Sequence, residues 1–359
     1  MDGREIANRR LHGQRLVGPP LADPVAVVRH LGAMQAQEFG VAKWAVGRRT
    51  TGVTDADLQR LVDEGAILRT HALRPTWHFV APADIVWLQA LTGPRVHAFN
   101  AYYYRQFGID DETTAKTNAL IAEAVAGGNH LTRKELAATL AAGGFPASGV
   151  KLAYVVMRAE LDAVIVNGPM RGKQHTYALV SERAPAALTL SPEAALAELT
   201  WRFFATHGPA TVKDFAWWSS LTVAQIKEGL ALVGDRLAAE TVEGRTVWFD
   251  PAGAADPVPG VRMLQGYDEY VVAYSDTKFA FNVDGIAPRP DRYTDNMLFH
   301  PIVRDGQVVG FWRRLVRGKG LALELDLVGA LPAAARRALD EELARHEAFA
   351  GVPVEVAYV

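Results

Sequence analysis

Apolar positions recur at helical spacing in three successive stretches of the chain, and each stretch closes on a short run that alternates instead. In the first, residues 4–16 read as a helix. Asp23 then stands as a cap with Pro24 at the first helical position. Val27, Val28, Leu31, Met34 and Gln35 fall along one stripe, so this helix is expected to continue to Gln35. A further helix opens at Thr54, where Asp57 completes a capping box and Val53 faces Leu58 as a staple, and it stops at Gly65. The segment "AILRTHALRPTWHFVAP" then reads as two short strands.

The same order returns twice. Residues 113–126 are helical and stop at Gly127–Gly128. Thr132 and Glu135 box the next helix, residues 150–162 form a third, and a hairpin follows with a turn at Asn167–Gly168. The last set opens after Ser191–Pro192, carries the boxes Thr211/Asp214 and Thr222/Gln225, and ends in a hairpin turning at Glu243–Gly244. A unit of helices plus wing, used three times, is a repeated winged helix. Beyond the Pro/Gly/Ala linker at 251–260 the pattern changes to short strands with turns at Asp284–Gly285 and Asp305–Gly306, one helix over 332–349 and a last strand. The expected fold is therefore α+β: three tandem winged-helix modules (1–82, 83–185 with a linker helix, 186–252) followed by a small β-barrel-like domain (260–359).

Composition narrows the chemistry. The chain has 359 residues and no cysteine, which removes disulfides and every Cys-based metal site. The ten histidines are scattered, no His-Glu-x-x-His occurs, and no phosphate-binding or dinucleotide fingerprint appears, so neither metal nor cofactor is expected. The charged N-terminus lacks the apolar stretch of a signal peptide and no run approaches the roughly 20 apolar residues that span a bilayer. A cytoplasmic monomer with no membrane partner is expected. Net charge is only −2, yet residues 1–50 hold eight Arg or Lys against four acids, and Arg304, Arg313, Arg314, Arg317 and Lys319 face only Asp305. Two basic zones on a neutral protein suit a groove for a polyanion.

The helices that would read bases are unsuited to it. "TDADLQRLVDEG" would bring Asp55, Asp57, Asp63 and Glu64 to phosphates, and "VKLAYVVMRAELDA" and "TVAQIKEGLALV" are largely apolar. They are expected to pack between modules, leaving DNA to a surface assembled from several of them. At Gln35 and Gln37 two neutral amides stand beside an apolar stripe, about 200° apart on an ideal helix, so they share a cavity only where the helix loosens.

"MQAQE", "LRTHALRPTWHFVAP", "GPATVKDFAWWSSL" and "LQGYDEYVVAYSDT" together resemble the AlkZ/YcaQ-type bacterial winged-helix DNA glycosylases, and the resemblance spans essentially the whole chain. It implies tandem winged helices with a β-barrel, and a catalytic Gln-x-Gln element that falls on Gln35 and Gln37, as in the AlkZ-like branch rather than the Gln-x-Asp branch. The implied activity is monofunctional hydrolysis of the N-glycosidic bond, with unhooking of interstrand crosslinks in some members. Amides fit one kind of leaving group. Neither glutamine protonates a base, but an N7-alkylated purine is already cationic and departs neutral, so two amides that position a water suffice. Cationic purine lesions in double-stranded DNA are the expected substrate, with poor activity on uracil or hypoxanthine.

Phosphate contacts are expected from Lys43, Arg48, Arg69, Arg74, His300, Arg313 and Arg314. Trp77 is expected to pack, and His78 is a minor candidate for a base. Asp268 and Glu269, read on a strand, would point to opposite faces and serve the domain junction. The aromatic run "YYYRQF" suits either base stacking or a buried linker helix. Two other classes remain: a non-catalytic winged-helix DNA-binding or regulatory protein, and a resistance protein that sequesters the alkylating agent without DNA.

Overall fold

In the computed structural model, which describes residues 1–285, 300–317 and 320–359, helix α1 (Gly3–Gly13) starts where the Asp2 carboxylate accepts the N–H groups of Arg4 and Glu5. Helix α2 (Pro24–Leu31) is capped by Asp23 as expected but stops at Leu31, not Gln35. Gly32 closes it at φ 80°, a conformation that other residues rarely adopt. The chain leaves extended, and Met34–Gln35 becomes β1, paired antiparallel with β3 (Thr76–Val80): Met34 opposite Phe79, Gln35 opposite His78. The helical stripe was real only as far as the glycine; past it the backbone finds its hydrogen bonds on β3.

Helices α3 (Phe39–Gly47) and α4 (Asp55–Glu64) follow, then β2 (Leu68–Ala72), and the sheet order is β1-β3-β2. After the 23-residue α5 (Ile85–Phe107) the order repeats. Helix α6 (Asp111–Val125), β4 (Leu131–Thr132), α7 (Arg133–Ala142), α8 (Gly149–Leu161), β5 (Ile165–Asn167) and β6 (Thr176–Leu179) build a sheet of order β4-β6-β5. Short α9 (Val180–Arg183) leads to the third set: α10 (Pro192–His207), α11 (Val212–Ser219), α12 (Val223–Val233), β7 (Ala238–Val242) and β8 (Arg245–Phe249). Here a single bridge from Ala210 to Trp248 stands where β1 and β4 stand in the other two.

The C-terminal region holds β9 (Val261–Met263), α13 (Glu269–Val272), β10 (His300–Arg304), β11 (Gln307–Arg317), β12 (Gly320–Leu327), α14 (Ala333–Ala350) and β13 (Val354–Tyr358). Its sheet, β13-β12-β11-β10-β9, curls into a half-barrel, antiparallel except where α14 crosses over to set β13 parallel to β12.

Two ends of the sequence share one core. Leu31, Met34, Trp44 and Phe79 pack in the same cluster as Met263, Ile302, Trp312 and Leu325. Trp44 and Trp312 donate their indole N–H groups to the carbonyls of Met263 and Leu264, so each large apolar ring is buried without an orphan donor. Arg49 and Asp268, both fully buried, close a bidentate pair at 2.8 and 2.9 Å across the same seam. Of the helices expected to pack between modules, α8 lies against β2 of the first set and α4 touches α14 of the C-terminal region, whereas α12 packs within its own set, against α10 and α11. Among the described residues no helix is long and apolar enough to cross a membrane, and no cluster of three or more His, Asp or Glu is placed to hold a metal.

Candidate active site

The difficulty posed by the two glutamines does not arise, because they are not on a helix: Gln35 ends β1 and Gln37 stands in the bend that follows it. Gln35 is 4% exposed and Gln37 half-buried, so the pair runs from the interior toward the surface. Every backbone polar group around Gln35 has a partner. Its N–H donates to Glu269 at 2.8 Å and its carbonyl accepts from Gln265 at 3.0 Å. The Ala36 N–H reaches the Trp77 carbonyl at 2.7 Å, and the Arg69 guanidinium donates to the Ala36 carbonyl at 3.0 Å. The side chains are oriented too. Gln35 Oε1 accepts from Arg74 at 2.8 Å, which turns its NH2 away, and Gln37 Oε1 accepts the Trp77 N–H at 3.4 Å.

All four parts of the chain supply this frame. Glu269 also accepts from the Trp218 indole at 2.7 Å and faces His207 at 3.5 Å, both in the third set. The second set enters through Glu160, which holds His71 at 2.5 Å beneath the Trp77 ring, and through Asn167, which accepts the Arg69 N–H at 2.6 Å. Phe39 lies edge-on to Phe79 and His175, and the Arg69 guanidinium sits 4.5 Å from the Trp77 ring centroid. The four segments that carried the family resemblance thus meet at one point.

Burial sets the charges. It would raise the Glu269 carboxyl, but the close approach of His207 and the charges of His207 and Arg74 outweigh it and hold Glu269 at about 2. Burial lowers Arg69 to about 10, His78 to about 3, and His175 and His300 to about 4, so these rings are neutral at pH 7. The Glu38 carboxyl is raised by burial.

The structure places several of the expected phosphate contacts inside the fold. Lys43 is buried and its ammonium is tied to Asp55 at 2.7 Å and Gln59 at 3.2 Å. Arg48 is buried against Glu342 at 2.5 Å. Arg69 is 7% exposed and braces Ala36, and Arg74 braces Gln35. His300 is buried, its Nδ1 accepting the Gly266 N–H at 2.8 Å. Arg314 donates to the Gly40 carbonyl at 2.9 Å, and half-buried Arg313 pairs with Glu324. Lys319 and the Arg317 side chain lie outside the described residues. Lys43, Arg48, Arg69, Arg74, Arg313 and Arg314 are each engaged by an acid, a carbonyl or an amide oxygen of the chain itself.

His78 is sealed: fully buried, with Nδ1 donating to the Thr76 carbonyl, so it is no base for solvent. Asp268 and Glu269 are not on a strand. They open α13, and both turn inward, one to Arg49 and the other to Gln35. Sequence reasoning gave Glu269 a junction role without its contact to Gln35 and passed over Gln265 and Trp218; the available signal was that "FAWWSSL" and "LQGYDEY" both belong to the resemblance. In "YYYRQF", which lies on α5, Tyr104 is buried and Tyr102 and Tyr103 are exposed. A separate cavity of 790 Å³ between α1, α2 and α10 is lined by Arg15, Arg29, Arg202 and Arg236.

The chain belongs to the AlkZ-like DNA glycosylase family, whose pattern matches residues 28–349 under the description "DNA glycosylase AlkZ-like". It is an enzyme of the class that acts on N-glycosyl bonds in DNA, and the non-catalytic regulator gives way. Among individual proteins it is 26% identical over 325 residues to an interstrand DNA cross-link repair glycosylase of Streptomyces sahachiroi, covering 83% of this chain and 85% of that one. The solved structure of Streptomyces sahachiroi DNA glycosylase AlkZ covers the whole of both chains at TM-score 0.81 and 22% identity.

Proposed function

We propose that this glycosylase releases cationic N7-alkylpurines from double-stranded DNA, crosslinked purines included, and that Gln35 and Gln37 position the attacking water. The observation that carries the reading is the fixed orientation of the Gln35 amide. Arg74 takes its oxygen, so its NH2 is the group offered to a water, while Gln37 Oε1, held only loosely by the Trp77 N–H, accepts from the same water. The C1′–N9 bond of a cationic purine breaks with its electron pair returning to the base, so no acid is required.

The three helix–hairpin sets are winged-helix modules in this reading (1–82, 83–185, 186–252), with 260–359 as the C-terminal domain. Two sheets share the order first-third-second strand, and the Ala210–Trp248 bridge marks the third. The reading includes a cytoplasmic monomer. A tethered lesion fits because Gln37 lies at the rim: a guanine bound to the opposite strand cannot enter a closed pocket. The cross-link repair relative supports that extension.

The test is release of N7-methylguanine from duplex DNA under single turnover. Gln35→Ala/Gln37→Ala is expected to lower the rate about 10²-fold or more, uracil and hypoxanthine to stay in place, and borohydride to trap no adduct. An undiminished rate in the double variant overturns the reading.

A further inference from the structure

Glu38 follows Gln37 and occupies the N-cap of α3, yet its side chain makes no capping hydrogen bond. Capping contributes about 1 kcal/mol and a helix N-terminus favours an anion, so a carboxylate that leaves this position forgoes both. It turns instead toward the C-terminal sheet. There Oε2 is buried without a hydrogen-bond partner, 3.7 Å from His300 Nε2. A buried carboxylate oxygen is costly to leave unsatisfied. The ring that faces it is oriented: Nδ1 of His300 accepts the Gly266 N–H, so the proton of the neutral imidazole is on Nε2 and points at Glu38. The Glu38 side chain keeps 35% of its surface exposed, so the carboxylate has one oxygen in the interior and still reaches solvent, one residue from half-buried Gln37.

We propose that Glu38 is the general base of the reaction, with His300 as the residue that positions it; this rests on the water-positioning reading of Gln35 and Gln37. As the C1′–N9 bond breaks and its electron pair neutralises the purine, the water oxygen bonds to C1′. The water's proton passes to the Glu38 carboxylate and then to solvent. The same negative charge opposes the positive charge that develops on the sugar. The amides supply position and Glu38 supplies the charge they lack.

The groups that face Glu38 bear on its titration. Tyr267 precedes α13 and has its own hydroxyl raised by burial and by Glu38. Arg314 reaches from β11 to Gly40 at the start of α3, and His300 comes from β10, with His346 of α14 behind it across Trp312. Arg69 and His175 lie on Phe39, the next residue. Burial raises Glu38 above the ordinary carboxyl range, so the base is lost, and activity with it, as pH falls through that raised value.

The experiment is the pH profile of single-turnover N7-methylguanine release between pH 4.5 and 8, with DNA affinity and thermal unfolding measured alongside. Glu38→Gln is expected to lose about 10²-fold in rate at pH 7 and to lose the acid limb, with DNA affinity unchanged; Glu38→Asp retains a limb. Gln37→Ala, run in parallel, is expected to fall in rate while keeping the limb. A Glu38→Gln profile that superimposes on wild type, or that keeps the acid limb, overturns the proposal. Should Glu38→Gln fail to fold, His300→Gln decides: a displaced limb supports the pair and an unmoved limb overturns it. A wild-type protein that releases no N7-methylguanine overturns the function reading and this one with it, whereas normal release with no acid limb overturns this one alone.

Discussion

Replacing Glu269 by glutamine tests the frame that holds the two amides. The carboxylate is 1% exposed, accepts from the Gln35 N–H and from the Trp218 indole, and faces His207 at 3.5 Å. Glutamine keeps one oxygen, so its NH2 must face one of those donors. An unpaired buried donor costs about 1–3 kcal/mol, and a hydrogen bond to a charge contributes about 1.5–3 kcal/mol. Linkage gives a second route to the size. A carboxyl with an ordinary value of 4.5 that stands at about 2 in the fold is linked to roughly 3 kcal/mol of stability. Because the folded value is the lower one, that stability is fully present above pH 4.5 and is lost as pH falls through 2. Between pH 6 and pH 3 the advantage of wild type over Glu269→Gln is therefore expected to shrink by about 2 kcal/mol. The assay is urea unfolding of both proteins at matched pH, followed by tryptophan fluorescence. A difference that stays flat from pH 6 to pH 3 refutes the argument, because it means that Glu269 is not held ionised by its partners.

Two further outcomes follow from neighbouring contacts. Arg74→Met removes the donor that orients Gln35 Oε1 and is expected to slow N7-methylguanine release about tenfold to a hundredfold at saturating DNA, with DNA affinity little changed; a drop in affinity alone would make Arg74 a phosphate contact. Arg49→Met leaves Asp268 buried without its bidentate partner and is expected to cost about 3–5 kcal/mol in urea unfolding, since one charge is stranded in the seam between the first module and the C-terminal sheet; a loss under about 1 kcal/mol would mean that water reaches the pair.

The features that the sequence alone decided are local ones. Thr54/Asp57, Thr132/Glu135, Thr211/Asp214 and Thr222/Gln225 all form both bonds of a capping box, because each bond spans three residues and needs no partner from elsewhere. The threefold order of helices and hairpin follows from the same local regularity, and the family from four short motifs legible along the chain. The tertiary structure decided what depends on distant partners. Gly32 ends α2, and β3, about 40 residues on, captures Met34 and Gln35 as a strand. Glu269 meets Gln35 across 234 residues, and Arg48 meets Glu342 across 294. Such contacts pay a loop-closure entropy that only the assembled core repays, so no pattern along the chain marked which arginines were free for DNA, or that a glutamate in the last domain holds the first glutamine in place.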